Sequence, residues 1–137
     1  MFTPDDLERQ HTLLGAAHRY DELRTRDALA PPAGAQPEVG DSASLGREDA
    51  LEMLALGEVL ARKAGYGRQL AVRTARAAGA SWSQIGAALG TTKQSAWEAH
   101  ERWIDDQARQ HQESDYQGLD PHAVALARDL AGSGDEP

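Results

Sequence analysis

The chain of 137 residues has no cysteine, a single phenylalanine and only two lysines. Without thiols there is no disulfide framework and no thiolate metal site, so a cytoplasmic setting is the expectation. No apolar run approaches the roughly 20 residues that a membrane span needs. The opening Met1-Phe2-Thr3-Pro4-Asp5-Asp6 is acidic and has no apolar core, so it does not read as a signal peptide. β-branched residues are too sparse for a sheet. There is no Gly-rich phosphate loop and no nucleophile elbow, since Gly65-Tyr66-Gly67 and Gly86 read as lone glycines between or within helices. His11 and His18 stand seven apart, two helical turns, where exposed or interfacial histidines are far commoner than ligands, and His100, His111 and His122 lack a convincing set of Cys, Asp and Glu partners at metal spacing. The expectation is therefore no enzyme, no metal and no cofactor.

What the chain does have is alanine and arginine. Abundant alanine favours helix, and twelve Arg against two Lys suggests GC-rich bacterial coding. The expected fold class is all-α, a helical bundle with a long N-terminal helix on a flexible linker. The length suits one core and not two comfortable ones.

A net charge of −8 argues at first against a nucleic-acid partner. Its distribution argues the other way. Residues 1–60 carry five Arg and twelve acids, or −7; residues 61–103 carry seven bases and two acids, or +5; residues 104–137 carry two bases and eight acids, or −6. The basic block includes Arg62, Lys63, Arg68, Arg73 and Arg76. Each of these can simply solvate a helix face, but as a cluster in an acidic chain they point to an electrostatic role.

In chain order, Thr3-Pro4-Asp5-Asp6 supplies an N-cap, a proline at the first helical position and acids suited to the helix dipole. A helix is predicted from there to about Ala30, making 1–30 a helical arm with Leu7, Leu13, Leu14 and Ala17 on its apolar face. Pro31 to Pro37 and the stretch up to residue 44 read as a flexible linker, which raises the question whether the arm packs in cis or is exchanged between subunits. A helical domain is expected over 45–131. Its first helix, Arg47 to about Ala64, is apolar around more than half its circumference, which marks it as core or dimer interface through Leu51, Leu54 and Val59. Gly65-Tyr66-Gly67 is predicted to break it, with a separate helix from Arg68 to Ala78. At the far end, Asp120-Pro121 opens a short final helix, and residues 132–137 are expected to be a disordered, frayed tail.

The stretch Ser81 to Trp103, SWSQIGAALGTTKQSAWEAHERW, organises the rest. Ser81 can N-cap a helix, and Gln84 stands three residues on, where it closes a capping box. Ile85 and Leu89 share a face. Gly90 sits where a left-handed C-cap belongs, and Thr91-Thr92 gives a turn and a new cap before Lys93. Two short helices around a tight turn are the grammar of a helix-turn-helix, and the helix before Ser81 supplies the third. The second helix is predicted to continue to about Glu113.

The segment ARAAGASWSQIGAALGTTKQSAWEAHERW, residues 75–103, resembles bacterial helix-turn-helix regulators of the homeodomain-like group, including the sigma-factor region 4 type. Ile85-Gly86, Leu89-Gly90 and Thr92 carry the resemblance. Where that group has Val or Ile inside the recognition helix, this chain has Ala96 and Ala99, with Trp82 or Trp103 available to fill the thinner core. The resemblance implies a double-stranded DNA partner.

With Ile85, Leu89, Ala96, Ala99 and Trp103 facing inward, Thr92, Lys93, Gln94, Trp97 and Glu98 fall on the groove side, with Glu101 beyond. Gln94 can pair with the N6 and N7 edge of adenine, Lys93 can reach guanine or a phosphate, and Glu98 can accept from cytosine N4. Arg68, Arg73, Arg76 and Arg102 suit the phosphate backbone, joined by Thr91 and Ser95 near the helix N-terminus. Trp97 has two assignments, packing over a neighbour or meeting thymine methyls. Glu98 and Glu101 oppose DNA unless they meet a base donor. The expected function is a dimeric transcriptional regulator. The competing expectation is an interaction module for RNA polymerase or a sigma factor, with a helix-turn-helix surface that does not read DNA.

Overall fold

A computed structural model describes residues 2–31 and 44–136. Among them are six helices and no strand, which makes the fold all-α: α1 (Pro4–Gln10), α2 (Leu13–Leu29), α3 (Arg47–Ala77), α4 (Trp82–Leu89), α5 (Lys93–Glu113) and α6 (Pro121–Ala131). Most of the expected linker lies outside the described residues. The chain divides into two compact units, Met1–Tyr66 and Gly67–Pro137, with the division falling within α3. None of the described helices is long and apolar enough to cross a membrane.

The first unit corrects the expected single N-terminal helix. Thr3 caps α1 by accepting from the Asp6 amide, but His11 then leaves helical geometry with φ −121° and ψ 141°. Thr12 starts α2 afresh, its hydroxyl accepting from Gly15 N at 3.1 Å. The break arises because a threonine hydroxyl offers the backbone an alternative to the continuing helix ladder. α2 stops at Leu29, just ahead of Pro31, as expected of the residues preceding a proline.

Leu7, Ala16 and Leu23 from α1 and α2 meet Ala55, Leu56 and Val59 of α3 in one buried cluster, with Tyr20, Leu45, Met53 and Leu60 at its margin. The N-terminal segment therefore packs on α3. Val59, expected at a dimer interface, is fully buried here, whereas Leu54 is 72% exposed and Leu51 also faces outward. Helical spacing explains the split: positions 55, 56 and 59 form one stripe, and 51, 54 and 58 the next. Charged pairs fasten the same elements. Arg19 donates to both oxygens of Glu52, at 3.1 Å from Nε and 2.8 Å from Nη2. Arg62 donates to Asp5 at 2.9 Å and lies 3.7 Å from Glu8.

The predicted break at Gly65-Tyr66-Gly67 does not occur; α3 runs through it to Ala77. A helical glycine costs about 1 kcal/mol against alanine, which weakens a helix without ending it. No proline or Ser/Thr/Asp/Asn cap stands between Gly65 and Gln69 to start a new one. The real stop is at Gly79, φ 94°, where Ala80 N donates to Ala75 O and Gly79 N to Arg76 O. That pair of bonds satisfies the last carbonyls of the helix.

The second unit packs the end of α3 with α4, α5 and α6 around Val72, Trp82, Ile85, Ala96, Ile104, Ala127 and Ala131. Trp82 fills the centre and bonds its indole N–H to Ala131 O at 2.7 Å. Trp97 and Trp103 border the same cluster, so all three tryptophans lie in this unit. α6 begins as predicted, with Asp120 accepting from Ala123 N and Pro121 at the first position.

Candidate nucleic-acid interface

The geometry of residues 81–113 is set by local chemistry at each junction. Ser81 and Gln84 form both halves of the capping box. Gly90 takes the left-handed conformation, φ 72°, and Thr91 N reaches back to Gly86 O at 2.8 Å. Thr92 caps α5 by accepting from Ser95 N at 3.0 Å. Gly86, read from sequence as a lone helical glycine, has a definite role. A Cβ there would stand 2.9 Å from Thr92 C, and 3.0 Å from Lys93 N and from Thr91 O. Only hydrogen fits between α4 and the turn, so this residue lets α5 start directly against α4.

Of the residues expected to face inward, Ile85 and Ala96 are buried. Ala99 and Trp103 are half-buried, and Leu89 is 39% exposed at the end of α4. The short helix presents only Trp82, Ile85 and Gly86 to the core, which places Leu89 past the buried stripe.

The expected base-reading residues do not form one open surface. Thr92, Gln94 and Glu98 are exposed, and Gln94 Nε2 donates to Glu98 Oε1 at 3.0 Å, one helical turn along. Thr91 and Ser95 are exposed beside them. Lys93 and Trp97 are half-buried and already engaged: Lys93 Nζ donates to Glu136 O at 2.7 Å, and Trp97 Nε1 to Gly132 O at 3.2 Å. The packing assignment for Trp97 thus describes its place in the fold. Glu101 pairs with Arg128, which also reaches Asp105, at 3.4 and 2.7 Å.

The expected phosphate-binding arginines divide in the same way. Arg68 and Arg102 are exposed. Arg73 is half-buried, its guanidinium 5.8 Å from the Trp103 ring centroid. Arg76 has only 13% of its side chain exposed and is spent on structure. It donates to Leu130 O and Ala80 O, each at 3.0 Å, pairs with Glu136 at 2.8 Å, and lies 5.1 Å from the Trp82 ring centroid. A guanidinium whose donors converge on carbonyls and a carboxylate braces α3 against the end of α6, and the backbone-contact assignment for Arg76 is corrected accordingly.

Two further residues were not legible as part of this region. His100 is 1% exposed, sits between Trp82 and Trp103 with ring centroids 5.6 and 5.3 Å away, and bonds through Nδ1 to Gln69 Oε1 at 2.9 Å. Burial, aided by the positive charges of Arg73 and Arg76, lowers its pKa to about 4. It is thus a neutral core histidine near pH 7. The second is Glu136, within the segment expected to fray. Its carboxyl is held below the usual carboxylate range, chiefly by the hydrogen bond from Arg76. Its partners lie about 40 and 60 residues upstream, and no local pattern announces them. Among the described residues, no group of three or more His, Cys, Asp or Glu could hold a metal ion. No protein-family model, curated protein or solved structure matches this chain, so the functional assignment rests on its own residues.

Proposed function

We propose that the chain is a double-stranded DNA-binding transcriptional regulator that uses α4 and α5 as a helix-turn-helix, with the N-terminal end of α5 entering the major groove. The observation that carries this reading is the close approach of Gly86 to the turn at Thr91-Thr92-Lys93. It sets two capped helices in tight succession and leaves Thr92, Gln94, Ser95 and Glu98 exposed at the start of the second. In this reading Gln94 reads adenine and Glu98 accepts from cytosine once their mutual hydrogen bond opens, while Arg68, Arg73 and Arg102 meet phosphates. A single recognition helix reads few base pairs, so two copies are expected to bind half-sites one DNA turn apart. Leu51 and Leu54, which with Phe2 and Pro4 line an apolar groove, are the surface for that pairing.

Mobility shifts with genomic fragments at low salt test the reading. A complex at micromolar protein that weakens steeply as salt rises supports it, and Arg102→Ala should reduce the salt slope by about 1. No complex at micromolar protein overturns it.

A second reading, a protein-binding module contacting RNA polymerase or a sigma factor, is favoured by one observation: the face of Lys93 and Trp97 already accepts a peptide turn. A partner captured with little salt dependence, in the absence of any DNA complex, would select it.

A further inference from the structure

Residues 132–136 form a built element at the start of α5. Gly132 ends α6 with φ 64° and redirects the chain. Glu136 N then donates to Ser133 O at 3.1 Å, Asp135 N to Ser133 Oγ at 3.2 Å and Ser133 N to Glu136 Oε1 at 3.3 Å, closing a tight turn. The turn is held from outside by side chains of α3 and α5. Arg76 pairs with the Glu136 carboxylate at 2.8 Å, Lys93 donates to its carbonyl at 2.7 Å, and Trp97 donates to Gly132 O at 3.2 Å. Gly134 lies flat on the indole, for a Cβ there would stand 2.9 Å from the Trp97 ring and 3.2 Å from Gln94 Oε1.

The docked turn therefore occupies two of the side chains nearest the helix N-terminus, Lys93 and Trp97, and crowds a third, Gln94. It meets Lys93 and Trp97 with backbone carbonyl oxygens and turns its carboxylate to Arg76; oxygen acceptors are what a phosphate would present to Lys93 and Trp97. We propose that Gly132–Glu136 is an autoinhibitory clasp, closed over the start of α5 in the free protein and displaced by the backbone of duplex DNA. This rests on the DNA-binding reading above. The clasp is suited to displacement because the Glu136 side chain is 39% exposed, which leaves its half of the pair open to water and ions, and because Arg76 keeps its bonds to Leu130 O and Ala80 O when Glu136 leaves. The remainder of α6 stays anchored through Arg76 to Leu130 O and Trp82 to Ala131 O. The turn can thus leave without unpacking the core.

The test compares duplex affinity for the whole chain, a chain ending at Gly132, Glu136→Gln and Asp135→Asn. Asp135→Asn removes one negative charge from the same turn while leaving the Arg76 and Lys93 bonds intact. The clasp predicts about tenfold tighter binding for the truncated chain, a smaller gain for Glu136→Gln and none for Asp135→Asn. Equal affinities throughout, or equal gains in the two point variants, overturn the clasp and leave the DNA reading standing. No binding by any of the four overturns both. A second measurement exploits the absence of native cysteine. A bimane label on Asp135→Cys should be quenched by Trp97 in the free protein, and saturating duplex should relieve the quenching. Quenching unchanged by duplex, or equal in Trp97→Phe, overturns the proposal.

Discussion

The imidazole of His100 and the indole of Trp82 lie 5.6 Å apart, centroid to centroid, in the core of the second unit. The histidine there is neutral near pH 7, with its pKa lowered to about 4. A folded pKa below the unfolded value, about 6.5, means that the unfolded chain binds the extra proton first. The contribution to stability is complete above about pH 6.5 and is lost as pH falls towards 4. On the order of 3 kcal/mol is at stake. Chemical denaturation followed by tryptophan emission at pH 7 and 4.5 should show the loss. His100→Phe, which cannot titrate, should flatten that part of the profile; an unchanged profile would remove His100 as its source.

Gly86 sets two effects against each other. Helix propensity alone makes Gly86→Ala stabilising by about 1 kcal/mol. The added Cβ, however, would press on backbone atoms of Thr91, Thr92 and Lys93 at 2.9 to 3.0 Å, and backbone cannot yield as a flexible side chain does. Overpacking of this kind costs about 1–3 kcal/mol, so the net effect is destabilising. Urea midpoints decide it, and a gain in stability would refute the close approach.

Arg19 and Glu52 offer a double-mutant cycle. Glu52 is 8% exposed and takes two hydrogen bonds from Arg19. Removing the arginine alone, in Arg19→Met, strands a buried carboxylate and should cost about 1–3 kcal/mol. The double variant Arg19→Met with Glu52→Leu should recover most of that loss. Equal costs in the single and double variants would show that the pair acts by packing alone.

Leu54 tests the proposed pairing of two copies. Because it is 72% exposed, Leu54→Lys should change the unfolding midpoint little, within about 0.5 kcal/mol. Sedimentation should nonetheless shift from dimer to monomer at micromolar concentration. A native chain already monomeric there refutes the dimer.

The features legible in the sequence were those written locally. Ser81 with Gln84, Gly90, Thr92 and Asp120 with Pro121 each specify a cap through neighbours within three residues, and the structure has them in place. Thr12 was a cap of the same kind, hidden because the apolar spacing of Leu7, Leu13 and Leu14 continued across it. Gly65 and Gly67 misled in the opposite direction, since glycine weakens a helix but does not stop one. The assignments of Arg76, His100 and Glu136 depended on partners tens of residues away. A basic residue bound for a phosphate and one bound for three backbone and carboxylate oxygens look alike until the chain is folded.

All three indoles belong to the second unit, while the aromatic side chains described in the first are Phe2, Tyr20 and Tyr66. Emission excited near 295 nm, where tryptophan dominates absorption, therefore reports on Gly67–Pro137 alone. Far-ultraviolet circular dichroism reports helices of both units. Superimposable melting curves from the two signals would mean that both halves of α3 unravel together. Separated curves would give each half its own transition without any label being added.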